Sequence, residues 1–160
     1  MEKSNLIPPS IAEFYGNKLR VRVCGLCWRG DELLMVNHRG ITPGNFWAPP
    51  GGGLEVQESA AARLRKEFLE ETGLEIAVGE FRFACELLQP PFHAVELFFE
   101  VSETGGHLMK GEDPELAIIN DVAFMSASRI AEMSRAELHG IFRHIQSADD
   151  LRTLTGFFTI

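Results

Sequence analysis

Long uninterrupted apolar runs are missing from this 160-residue chain, and with them the roughly 20-residue stretch that a membrane helix requires. The N-terminus, Met1-Glu2-Lys3-Ser4-Asn5-Leu6-Ile7-Pro8-Pro9, has no basic start followed by an apolar run and a small-residue cleavage site, so no secretory signal is legible and the cytoplasm is the expected compartment. Cysteine is scarce. Cys24, Cys27 and Cys85 are an odd number without a secretion signal, which suits a reducing compartment and not a disulfide framework. Cys24 and Cys27 have zinc or redox spacing, but there is no second ligand pair and the segment reads as a strand, so buried core thiols are expected. Positive charge is in deficit too, with 15 Lys and Arg against 23 Asp and Glu and a net charge of -8. That balance repels a polyanion and disfavours sustained nucleic-acid binding. It leaves room for a small phosphate compound, because a divalent cation locally inverts the sign of an acidic pocket.

What is present suits one folded unit. Apolar residues make up 45% of the chain and charged residues 24%, the balance of a globular protein rather than a disordered or fibrous one. Folding at this length removes roughly 70% of the unfolded surface from water, enough for one good core. Residues 19–28 start with apolar and polar or small residues in alternation and read as a strand; Arg29-Gly30-Asp31-Glu32 supplies a turn, and Leu33-Leu34-Met35-Val36 the return strand of a hairpin. Segment 38–53, dense in glycine and proline, reads as a shaped loop in which Phe46 and Trp47 are favoured as packing over base stacking. Ala61, Leu64 and Phe68 follow helical spacing within 58–72, and Gly73 stands as a stop.

Strands are then expected over 75–88 and 93–102 around Gln89-Pro90-Pro91, and over 122–125. A short helix is expected over 127–133 and a fuller one over 135–146, while 149–160 takes no assignment. His93 and Glu96 precede the apolar run Leu97-Phe98-Phe99, which reads as core or, where exposed, as a homodimer surface. No linker, repeat or low-complexity tract divides the chain. The expectation is a single α/β domain over residues 1–160, with a mixed sheet packed between helices.

Glu67, Glu70 and Glu71 stand at i, i+3 and i+4, within an arc of roughly 100° on one side of a helix. Glu71 lies seven residues after Leu64, at the edge of the apolar stripe, so it is not wholly solvated if the stripe is buried. Crowded, partly buried carboxylates need a compensating positive charge. One source is Mg²⁺, a hard cation that takes carboxylates together with substrate phosphates, with Mn²⁺ as the alternative. The other is Arg63 and Lys66, four residues before Glu67 and Glu70, as ordinary ion pairs on a solvated face. The loop Pro49-Pro50-Gly51-Gly52-Gly53 runs almost directly into this helix; its glycines either bring backbone carbonyls and amides, including those of Gly51 and Gly52, to a metal and a phosphate, or simply make a tight turn.

From Gly52 the chain runs five residues to Glu58, then seven to Lys66-Glu67-Phe68-Leu69-Glu70-Glu71-Thr72-Gly73-Leu74. This resembles the signature of the Nudix hydrolase superfamily: Gly, five residues, Glu, seven residues, Arg-Glu-aliphatic-any-Glu-Glu-any-Gly-aliphatic. Two positions depart from it, Lys66 in place of arginine and Phe68 in place of an aliphatic residue. The resemblance implies an α/β/α sandwich with a mixed central sheet, and metal-dependent cleavage of a diphosphate linkage in a nucleoside triphosphate, nucleotide sugar or ADP-ribose type of compound. It also implies site roles. Glu67, Glu70 and Glu71 become the metal-binding carboxylates, the Gly51 carbonyl a further ligand, and Glu58 a residue near the metals. Lys66 replaces an arginine whose fork orients the glutamates, and lysine keeps only the charge.

The family's general base varies, and Glu115 in the turn Gly111-Glu112-Asp113-Pro114-Glu115 resembles the extra glutamate that many members bring; the same turn also reads as a solvated acidic cap. Arg39 is a candidate contact to substrate phosphate, or else a surface arginine. The competing function is a Nudix-like module that senses a nucleotide without cleaving it, which the intact glutamates disfavour. Removal of diphosphate from RNA ends is disfavoured by the acidic balance.

Overall fold

The structure, a computed structural model, describes residues 9–38, 44–109 and 119–160. The chain begins with helix α1 (Pro9–Tyr15), then the long strand β1 (Leu19–Arg29) and its hairpin partner β2 (Glu32–His38). Two short strands, β3 (Trp47–Ala48) and β4 (Gly51–Gly53), lead into α2 (Ala60–Thr72). Two long strands follow, β5 (Leu74–Gln89) and β6 (Phe92–Gly106), then β7 (Ile119–Ser126), α3 (Ala127–Ala131) and a final strand β8 (Gly156–Thr159). Among the described residues the strands form one mixed sheet of eight, with the main order β3-β2-β1-β6-β5-β8, β4 added against β1 and β7 against β2. β1 runs parallel to β6 and antiparallel to β4, and β2 pairs only with its far end, at Trp28 and Arg29. The sheet therefore forks along β1, and the glycine strand β4 sits in the fork.

Alternation along β1 divides the core in two. Val23 and Cys27 face α2 and join Leu34, Leu64, Phe68, Leu74, Ile76 and Val101; Cys24 and Leu26 face the other way, to Phe83, Phe98, Met125, Ile130, Ile141 and Leu151. The mixed α/β fold with helical elements on both faces matches the architecture expected. Cys24 and Cys27 thus point into different cores, and all three cysteines are free and buried. Burial pushes the Cys27 thiol up to about 11 and the Cys85 thiol up to about 12, as inert core groups require. Trp47 is core as well.

The helix expected over 135–146 does not form. Ser134 caps a single 3-10 turn (Arg135–Glu137), after which Leu138 bridges to Trp47 and the His139 amide donates to the Trp47 carbonyl at 2.9 Å. Once the sheet takes that donor the helical ladder cannot continue. Further 3-10 turns, Gly140–Arg143 and Ala148–Arg152, complete the segment. The loop expected over 38–53 contains β3 and β4, and the unassigned tail supplies an edge strand, β8, parallel to β5. Among the described residues, no helix is long and apolar enough to cross a membrane.

Candidate functional site

Helix α2 is set by local chemistry at both ends. The Ser59 hydroxyl accepts from the Ala62 amide at 3.1 Å, and Gly73, at φ 75°, provides the left-handed cap whose amide returns to Leu69. Leu64 and Phe68, both fully buried, fix the helix rotation against the sheet. That rotation carries Glu67 and Glu71 inward with them, leaving them 6% and 2% exposed. Glu70 stays at the edge, with a side chain 27% exposed.

The glycine strand lies across these carboxylates. β4 is held to β1 through Arg22, Val23 and Cys24, and the Gly25 amide donates to Pro50 at 2.9 Å. From this position the Gly51 amide donates to Glu71 Oε2 at 3.2 Å. Gly52 packs against the Glu67 carboxyl group so closely that a Cβ at position 52 would overlap it. His38, at the end of β2, places Nε2 3.7 Å from Glu71 Oε1. Arg63 pairs closely with Glu67 Oε1 and approaches Glu58 Oε2 at 3.7 Å, while Lys66 reaches Glu70 Oε1 only at 4.0 Å. Burial first, and then the neighbouring Glu71, push the Glu67 carboxyl up to about 8, against the pull of Arg63.

The glutamates and glycines expected at the site are thus brought together: Gly51, Gly52, Glu67 and Glu71 in direct contact, Glu70 beside them and Glu58 at the helix entrance. Arg39 and Glu115 lie outside the described residues. Among the described residues no three His, Cys, Asp or Glu side chains converge on one point at ligating distance, because Glu67 is drawn to Arg63, Glu71 to Gly51 and Glu70 outward. The donor set nevertheless suits a hard cation. It is all oxygen, and the buried Oε2 atoms of Glu70 and Glu58 have no hydrogen-bond partner among the described residues. The sequence alone does not mark Arg63 and His38 as buried parts of the cluster. Arg63 had the right spacing to Glu67 but read as a surface partner; nothing around His38 in the sequence distinguished it.

On the opposite face a second buried cluster forms around Glu96, which accepts from Arg22 Nη1 at 2.6 Å and from His139 Nε2 at 2.5 Å. The Ile141 amide donates to His139 Nδ1 at 3.2 Å, which leaves Nε2 as the protonated nitrogen facing Glu96.

Comparison with known proteins identifies the family. The NUDIX domain family model matches residues 18–144. No curated protein matches the chain. Solved structures match its fold at low identity. A UDP-X diphosphatase is 18% identical with a TM-score of 0.65, over 87% of this chain and 67% of that one. An ADP-ribose pyrophosphatase from Streptococcus suis is 18% identical with a TM-score of 0.56, over 86% and 98%. A mutator MutT protein from Bacillus halodurans is 21% identical with a TM-score of 0.62, over 88% and 89%. With Glu67, Glu70 and Glu71 of the signature on one helix, the glycine strand against it and the family model matched across most of the chain's length, the chain belongs to the Nudix hydrolase family.

Proposed function

We propose that this protein is a Mg²⁺-dependent hydrolase, with Mn²⁺ as the alternative ion, that cleaves the diphosphate linkage of a small nucleoside-diphosphate-linked compound. The observation that carries the reading is the contact between the glycine strand and the buried carboxylates of α2: Gly51 on Glu71, and Gly52 on Glu67. Glu67, Glu70, Glu71 and the Gly51 carbonyl hold the ion. When bound, it supplies neutralisation of phosphate charge and a lowered pKa for a ligated water. The Gly51 amide keeps one Glu71 oxygen fixed, and Gly52, with no side chain, leaves the Glu67 carboxyl group its place. Glu58 stands close enough to tune the cluster through Arg63.

Arg39 contributes a planar fork to a substrate phosphate, and Glu115 or a glutamate of α2 takes the proton from the attacking water. The substrate is a nucleoside triphosphate, a nucleotide sugar or an ADP-ribose type of compound, and the ADP-ribose and UDP-X names of two structural neighbours are in keeping with that range. The chain acts as one domain over residues 1–160, in the cytoplasm, in keeping with its three free thiols.

The test is Mg²⁺-dependent release of phosphate or nucleoside monophosphate over a panel of those compounds. Glu70→Gln should lower turnover by about 100-fold or more, the scale on which a lost electrostatic group acts in an active site. Turnover unchanged by that substitution sinks the site; tight nucleotide binding with no turnover of any compound replaces the hydrolase with a sensor.

A further inference from the structure

Position 66, where the family signature has arginine, carries a lysine directed away from the buried carboxylates. Its side chain is 56% exposed and its ammonium group lies 4.0 Å from Glu70 Oε1. A pair so open to water is screened and holds neither partner firmly. Nearly one turn earlier, the buried Arg63 reaches in two directions, with Nη2 on Glu67 Oε1 and Nη1 3.7 Å from Glu58 Oε2. Glu58 precedes the helix and Glu67 lies at its middle, so one planar group spans the entrance and the heart of the cluster. Arg63 can do this because it stands four residues before Glu67, on the same helix face, whereas residue 66 is rotated from Glu67 by roughly 100°. A lysine at 63 would offer one point charge and could not serve both carboxylates.

We propose that Arg63 is the positioning residue of the carboxylate cluster: its two-armed guanidinium holds Glu58 and Glu67 in register for the divalent cation, while Lys66 is surface charge beside Glu70. This deepens the metal reading above and rests on it. Arg63 touches neither ion nor substrate in this role and acts through the two glutamates.

Direct Mn²⁺ binding, by calorimetry and by the electron paramagnetic resonance of free Mn²⁺, tests the assignment without reference to turnover. Arg63→Lys should weaken binding by about tenfold or more, as the loss of a supporting partner does, and Arg63→Met further still. Lys66→Met should change it by less than about twofold. The exchanged protein, Arg63→Lys with Lys66→Arg, should bind as weakly as Arg63→Lys alone. Wild-type affinity in Arg63→Lys, or recovery in the exchanged protein, overturns the proposal, and both of these charge-conserving variants decide the matter even if Arg63→Met does not fold. If Glu70→Gln and Glu71→Gln bind Mn²⁺ as tightly as wild type, the metal reading fails and takes this proposal with it. If they lose binding while Arg63→Lys retains it, only the proposal falls.

Discussion

Glu67 and Glu96 are both buried carboxylates, 6% and 3% exposed, yet the protein treats them in opposite ways. Burial alone would raise the Glu96 carboxyl, but His139 and Arg22 hold it down at about 2. Burial and Glu71 push Glu67 up to about 8 although Arg63 touches it. On the Glu96 face one acid meets two partners through short hydrogen bonds that take up both its oxygens, and the buried atom left without a hydrogen-bond partner among the described residues is a donor, Arg22 Nε. On the α2 face three acids crowd together, and one of them, Glu70, keeps a buried oxygen with no hydrogen-bond partner among the described residues. In the first cluster the carboxylate is fully met by the chain itself. The second leaves carboxylate oxygen unmet among the described residues, which is what the proposed cation site requires.

The largest effect should come from breaking the Glu96 cluster. Glu96→Ala strips Arg22, whose side chain is 25% exposed, and the buried His139 of their shared acceptor, which costs about 3 kcal/mol. Urea unfolding measures it. A loss under about 1 kcal/mol would mean that the Glu96 face is no better compensated than a surface pair, and the contrast would vanish.

The two acids should also give the metal-free protein opposite pH slopes. The Glu96 carboxyl is depressed from 4.5 to about 2, so its contribution of about 3 kcal/mol is present above pH 4.5 and is lost as pH falls towards 2. The Glu67 carboxyl is raised from 4.5 to about 8; the folded state holds its proton more tightly, and stability declines as pH rises from 4.5 through 8. Unfolding measured in chelator across pH 2 to 9 should therefore show an acid loss that Glu96→Gln removes and a decline above pH 4.5 that Glu67→Gln flattens. Identical profiles for the two variants would contradict the comparison.

Only the second cluster was legible in the sequence. Apart from His38, its members fall within 21 positions, from Gly51 to Glu71, on a glycine run and a helix whose period and terminal glycine are local signals. Glu96 meets Arg22 across 74 residues and His139 across 43, through the parallel register of β1 with β6 and a turn docked on Trp47. Sheet register is a tertiary decision, and no local pattern around Glu96 announces it. The same limit hid the fate of 135–146, where helical spacing was overridden by the bond from the His139 amide to Trp47. Arg63 stands at the correct spacing from Glu67, yet its local sequence presents it as a solvated partner, because burial of the pair depends on how tightly the glycine strand closes over it.

That closure is itself open to test, with a smaller effect. A methyl group at Gly52 would fall within contact distance of the Glu67 carboxyl carbon and both its oxygens, and Arg63 holds the carboxylate from the other side. Gly52→Ala should cost about 1 to 3 kcal/mol of stability by overpacking. Mn²⁺ binding should weaken along with it, since the displaced group is a proposed ligand. Unchanged Mn²⁺ affinity with lowered stability would keep Gly52 as a packing residue and remove Glu67 from the ion.

The smallest effect has the sharpest sign. Glu71→Gln preserves an oxygen for the Gly51 amide while removing the like charge beside Glu67, so in the metal-free protein above pH 8, where Glu67 is ionised, it should stabilise the fold by about 0.5 kcal/mol, a scale set by repulsion between acids four residues apart on a helix. Added Mg²⁺ should then raise the melting temperature of wild type and leave the variant where it was, because binding to the folded state alone is what shifts the equilibrium. A substitution that abolishes the response to metal while improving the fold without it is the behaviour of a carboxylate kept for a ligand. Destabilisation by Glu71→Gln in chelator would instead place Glu71 with Glu96, among the acids whose charge the fold itself requires.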